Sequence, residues 1–403
     1  MSAAIPPRER NIVIAYGPAR RAAFDKLKVC VTLLVVLHHS ILAYARFGHF
    51  DTRHYLRSSA PIVDPARWVG FDVLVDFNDV YFMSLMFLIS GLFVMPSLSR
   101  HGPWHYLAGR AVRLGLPFLV AVTVIMPVAY YPSFLQTGAN LSFPQYWSGY
   151  FTTYGWPGGP AWFIWVLLLF DIAAVSLACL WPNLPRTIAT VPDWLTRRPY
   201  AGLGLALAAT AAAYMPILYA FGPTRWFAWG PFAVQASRVL LYASFFAAGV
   251  ILGAAGLRHE LLERTGPVAR AWAMYAGLTV TAFGGFVAVQ IAGLRNAPLA
   301  ATLWWQALGA ALFVLICVLA SVALIGGFVR HLDANRRWLE LLAPCAFGIY
   351  VLHYAPLTWM QTALLTVAIP AVVKAGIVFA ITLAVSWSVV AGLRLNRILR
   401  QIL

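Results

Sequence analysis

The sequence predicts an all-α integral membrane protein, a bundle of about ten transmembrane helices with both termini in the cytoplasm. Three observations carry this expectation. Of the 403 residues, 61% are hydrophobic and only 10% charged, with a mean hydropathy of +0.76, whereas a soluble chain carries about a quarter charged residues. Apolar windows of the roughly 20 residues needed to cross a bilayer recur along the whole chain. Most of the 29 Lys and Arg residues fall on alternate connections between those windows, as expected when cytoplasmic loops hold the excess of positive charge.

Residues 1–28 read as a basic cytoplasmic segment, with Arg8, Arg10, Arg20, Arg21, Lys26 and Lys28. The windows follow at about 29–46, 80–97, 114–131, 161–181, 201–221, 233–256, 269–292, 300–326, 340–361 and 372–392. Residues 393–403 form a second cytoplasmic tail, so the reading is one membrane domain over 1–403 with its bundle at 29–392. Ala43-Tyr44-Ala45 mimics a signal-peptide cleavage site, but the basic region before the first window is too long for a usual n-region. We therefore read an uncleaved helix. The net charge of +16 follows from topology and anionic lipid headgroups and requires no nucleic acid. The bilayer itself is the first partner implied. Cys30, Cys179, Cys317 and Cys345 show no paired spacing, so neither a disulfide framework nor a metal site is expected.

Chemistry is expected where ionisable groups enter apolar windows, because burying a charge in a bilayer costs a few kcal/mol unless it is paired. His38 and His39 lie in the first window, about 100° apart on a helix, so one at most aims into a given cavity. Imidazole suits proton transfer near neutral pH, in catalysis and in a transporter's proton relay alike. Asp171 in the fourth window needs a partner, and a histidine or Arg238 would serve. Arg110 and Arg113 share a helix face at the cytoplasmic side, where guanidinium forks suit phosphates; positive-inside topology would also place arginines there. Tyr350 and His353 share a face near the outer end of the ninth window. They could meet an acceptor or merely tie helices together. The outside loop at 47–79 holds Asp72, Asp76 and Asp79, with an interfacial helix expected at 65–78. A second loop, 132–160, leads to an aromatic stretch ending at Trp162, which suits either an acceptor surface or an interfacial belt.

Four blocks give these residues a common frame. Asp25 is followed after Lys26 and Leu27 by Lys28, then by ten residues and His39; Phe82 leads through Phe87 to Ser90-Gly91; Arg110-x-x-Arg113-x-x-x-Pro117 follows; and Pro160-Ala161-Trp162 and Phe347-Gly348-Ile349-Tyr350-x-x-His353 close the series. In this order the chain resembles membrane-bound acyltransferase family 3, which includes O-antigen acetylases and glucan-modifying succinyltransferases of the bacterial inner membrane. Lys28 stands where the family usually has Arg, and Ala161 replaces a frequent His-Leu, so one imidazole is missing.

The resemblance implies transfer of an acyl group, acetyl or succinyl, from cytoplasmic acyl-CoA to a hydroxyl of an envelope or secreted carbohydrate. It implies His39 as the reactive imidazole and His38 as support. Arg110, Arg113 and Lys28 would hold the donor, and Tyr350, His353, Trp162 and Ser90 the acceptor side. Asp171 is outside the family's motif and is our own candidate for orienting an imidazole or compensating a charge. Direct transfer and a transient acyl-histidine both satisfy the residues. A homo-oligomer or an envelope-glycan assembly partner is compatible with the chain. The competing classes are a proton-coupled exporter of a small polar solute, which should show internal repeats that the sequence lacks, and a noncatalytic assembly subunit.

Overall fold

The structure is a computed structural model that describes residues 18–257, 259–331 and 337–403. Arg8, Arg10, Arg258 and Arg336, and the side chains of Arg20, Arg21 and Arg337, lie outside the described residues. The ordered elements are nearly all helical. They are α1 (Pro18–Leu42), α2 (Val69–Gly91), α3 (Val94–Leu135), α4 (Trp162–Leu180), α5 (Pro199–Phe221), a hairpin of β1 (Trp226–Trp229) and β2 (Phe232–Gln235), α6 (Val239–Ala254), α7 (Trp272–Arg295), α8 (Leu303–His331), α9 (Ala346–Leu352), α10 (Tyr354–Ala363), α11 (Ala371–Leu393) and α12 (Leu399–Ile402). Among the described residues eight helices are long and apolar enough to cross a membrane, fewer than the ten windows. The ninth window is a helix pair bent by 65° between α9 and α10. The first is α1, whose 25 residues include Asp25, Lys26 and Lys28, leaving a short apolar remainder.

Helix α1 runs through the middle of the bundle. Phe24, Leu27, Val31 and Val35, at helical spacing, are almost wholly buried in the main core, while Val29 and Val36 on other faces pack into separate clusters with Ala346 and Ile349. A helix buried on every side fixes the positions of its polar residues. Helices α2 and α6 cross in close backbone contact through Gly91, Gly249 and Gly253. A Cβ at Gly249 would stand 2.0 Å from the Leu88 carbonyl oxygen, the approach that small residues permit in membrane bundles. Helices α5 and α7, largely apolar and little buried by the protein, lie at the periphery as lipid-facing helices would.

The expected interfacial helix at 65–78 is instead the first half of α2, so Asp72, Asp76 and Asp79 sit on a helix rather than a loop. Asp72 accepts the Arg46 backbone N–H at 2.6 Å. Asp79 pairs with the buried Arg238, which also donates to the Asp79 carbonyl at 2.9 Å. These contacts satisfy groups whose charge made the segment look like a loop. Arg238 therefore meets Asp79 and not Asp171. In the loop before α2, Asp64 pairs with Lys374 of α11 at 2.7 Å, both side chains being nearly inaccessible. The second loop contains a short helix, Phe143–Tyr150, opened by a Ser142/Gln145 capping box.

Candidate functional site

A cavity of about 820 Å³ opens beside the charged end of α1 and runs between α1, α2, α3, α4 and α9. Lys28, Arg110 and Arg113 all line it. The R-x-x-R-x-x-x-P spacing explains the shape of its rim. The ring of Pro117 crowds the carbonyl four residues back, that of Arg113, and the turn widens into a π-helical segment over Ala111–Gly115. A second such segment, Ala121–Ile125, precedes Pro127 in the same way. Widened turns of this kind often mark functional sites.

Arg110 is held by a buried carboxylate. Asp171 accepts its Nε–H at 2.5 Å and the Tyr106 hydroxyl at 2.7 Å. The Asp171 side chain is wholly buried and that of Arg110 is 25% exposed. The expected partner of Asp171, a histidine or Arg238, is thus replaced by Arg110 and Tyr106. Its place is beside the cation that faces the cavity, and among the described residues no hydrogen bond or ion pair joins it to a histidine. Lys28 lies 3.5 Å from Asp25 and 3.9 Å above the Phe93 ring. Ser90 also lines the cavity, but its hydroxyl donates back to the Met86 carbonyl at 2.8 Å.

Tyr350 lines the same cavity, where its hydroxyl donates to the Pro160 carbonyl. The sequence placed it on one helix face with His353; of the two, Tyr350 lines the cavity and His353 does not. Its ring lies 5.9 Å from that of His353. His353 occupies the break between α9 and α10 and is fully buried. Its Nδ1 lies 2.6 Å from the Tyr350 carbonyl oxygen. A carbonyl only accepts, so Nδ1–H is the donor, and in the neutral ring Nε2 carries the lone pair. That Nε2 is buried without a hydrogen-bond partner among the described residues.

His39 follows next, its ring 5.4 Å from that of His353 and 5.2 Å from that of Tyr354. The Gln361 amide donates to the His39 carbonyl at 3.0 Å and holds the last turn of α1 in place. The His39 Nδ1 is buried and unpartnered among the described residues. His38 turns the other way and stacks on Phe82 at 5.1 Å. Neither histidine lines the arginine cavity; the sequence Tyr350, His353, His39 continues from its wall. Trp162 packs in the core, stacked on Tyr242 at 5.3 Å and 6.2 Å from Phe87.

The arrangement places cations around a pore mouth, apolar walls behind them, and unpartnered imidazole nitrogens beyond its inner wall. Anion binding at the mouth and proton transfer past the wall are the chemistries available to it. Sequence reasoning missed Tyr106, whose phenol is unremarkable until Asp171 is placed beside it. It also missed Arg394 and Arg400, which line the mouth from the far end of the chain and which positive-inside topology alone would place there.

No curated protein and no solved structure matches the chain. A family model described as an acyltransferase domain matches residues 21–391, a span that takes in all four sequence blocks, the cavity's Lys28, Arg110, Arg113 and Tyr350, and both His39 and His353. The chain belongs to acyltransferase family 3.

Proposed function

We propose that this multi-pass membrane acyltransferase moves an acetyl or succinyl group from acyl-CoA to a hydroxyl of an envelope or secreted carbohydrate, in the inner membrane of a bacterium. The observation that carries the reading is that one cavity is lined by Lys28, Arg110, Arg113 and Tyr350 together, with His353 and His39 in ring contact behind its wall. The charged end of α1 is cytoplasmic in this reading, and with it both termini. CoA phosphates dock on the arginines, and the pantetheine arm carries the thioester toward Tyr350.

The acceptor hydroxyl approaches from the opposite side. Its oxygen bonds to the thioester carbonyl carbon while His39 takes its proton. Collapse of the tetrahedral intermediate breaks the C–S bond, and the imidazolium returns the proton to the CoA sulfur. An O-ester and free CoA are the products. His353, with Nε2 as acceptor, positions the hydroxyl or relays its proton. Asp171 positions Arg110 and takes no part in proton transfer. His38 supports α1 against Phe82, and Trp162 and Ser90 support the walls.

The test is release of label from radiolabelled acetyl-CoA or succinyl-CoA into carbohydrate by membranes carrying wild type or His39→Ala. Loss of a general base lowers turnover by roughly 10²–10⁴, with donor binding retained. Equal turnover in both membranes would remove His39 from the chemistry. Solute flux without transfer from any acyl-CoA would favour the exporter reading over this one.

A further inference from the structure

The mouth of the cavity carries more cations than the sequence blocks account for. Arg394, which closes α11, and Arg400, in α12, both line it. Helix α12 packs against the widened turn Ala111–Gly115 that holds Arg113, so residues nearly 300 positions apart share one rim. Arg394 Nη1 lies 3.5 Å from the Arg400 carbonyl oxygen, which folds the last turn back over the opening. Arg397, between them, does not line the cavity.

The cations divide by what already holds them. Arg110 is neutralised by Asp171 and Lys28 faces Asp25. Among the described residues no carboxylate side chain pairs with Arg113, Arg394 or Arg400. A donor with one anionic group would be served by Arg110 and Arg113 alone. CoA carries two separated anions, the pyrophosphate and the 3′-phosphate on the ribose, and two cation groups on one rim match that pattern.

We propose that Arg394 and Arg400 form a second anion subsite that takes the 3′-phosphate of CoA, with the pyrophosphate on Arg110 and Arg113. The inference rests on the acyl-CoA reading and deepens it. It makes the last turn of the chain a specificity element that separates CoA thioesters from pantetheine thioesters lacking the 3′-phosphate.

The test is equilibrium binding of CoA and of 3′-dephospho-CoA to the full-length protein in nanodiscs of zwitterionic lipid. Neither probe depends on the acyl group or the acceptor. Wild type is expected to bind CoA about tenfold to a hundredfold more tightly than 3′-dephospho-CoA, the range for charge-assisted hydrogen bonds. Arg394→Gln/Arg400→Gln brings that ratio close to one, Arg394→Lys/Arg400→Lys restores part of it, and Arg397→Gln keeps the wild-type ratio. A wild-type ratio in the double Gln variant, or no preference in wild type, overturns the subsite. Binding of neither probe by wild type overturns the donor reading with it. An unchanged ratio, with anionic phospholipid retained by wild type and lost by the double Gln variant, reassigns the cluster to lipid headgroups and equally overturns the proposal. A thermal unfolding curve for each variant separates loss of the subsite from loss of fold.

Discussion

Substituting Asp171 by Asn separates positioning from catalysis. The carboxylate is fully buried and receives two hydrogen bonds, from Arg110 Nε–H at 2.5 Å and from the Tyr106 hydroxyl at 2.7 Å. Breaking a buried ion pair by removing one partner costs roughly 3–5 kcal/mol, mainly because the other charge stays buried. Arg110 keeps a quarter of its side chain exposed toward the cavity and can turn to water there, which lowers the expectation to about 2–3 kcal/mol. Donor affinity falls as well, because a guanidinium that swings freely loses the orientation that makes its fork useful. One charge-assisted contact in an open mouth is worth about 1–1.5 kcal/mol, or roughly tenfold in KM for acyl-CoA. The assays are thermal unfolding of the detergent-solubilised full chain and steady-state kinetics with varied donor. An Asp171→Asn/Arg110→Gln double variant should be less destabilised than the sum of the single ones, since the pair acts as a unit. The reasoning is refuted if Asp171→Asn keeps wild-type stability and donor KM while kcat collapses as in His39→Ala. Asp171 would then act on an imidazole it does not touch here.

Three further predictions concern the frame around the site. Lys374→Met leaves Asp64 buried without its cation and is expected to cost about 3–5 kcal/mol, much of it recovered in Lys374→Met/Asp64→Asn, by the same unfolding assay. Gly249→Ala places a methyl 2.0 Å from the Leu88 carbonyl oxygen and forces α2 and α6 apart, at about 1–3 kcal/mol or more. Gly277→Ala, with open space around its Cβ, should be neutral or up to about 1 kcal/mol stabilising through helix propensity.

The parts of the site legible in the sequence are those written in local spacing. The resemblance, counted from Asp25, points to His39; its ring lies beside that of His353, while His38 stacks on Phe82. The three-residue spacing of Arg110 and Arg113 gives them a shared helix face, and both line the cavity, whereas the widened turn before Pro117 emerges only in the structure. Apolar length likewise gives most of the spans. What spacing cannot express is which distant element neutralises a buried charge. Asp171 was unmistakable as a carboxylate in need of a cation, yet nothing in its neighbourhood names Arg110, 61 positions earlier. The Asp79 carboxylate failed in the opposite direction. Its charge argued for a loop because its partner, Arg238, lies 159 positions away, and once paired the segment is helix.

The same limit explains Arg394 and Arg400, and it bears on how the cavity is assembled. Positive-inside topology accounts for arginines at a cytoplasmic helix end whether or not they bind anything, so composition alone gives each of them no individual meaning. Their meaning comes from α12 lying on the turn that Pro117 widens. That π-helical turn carries Arg113 and is the surface on which α12 packs. Pro117 thereby couples the local motif to the distant one: it shapes the turn that carries Arg113 and on which α12, with Arg400, packs.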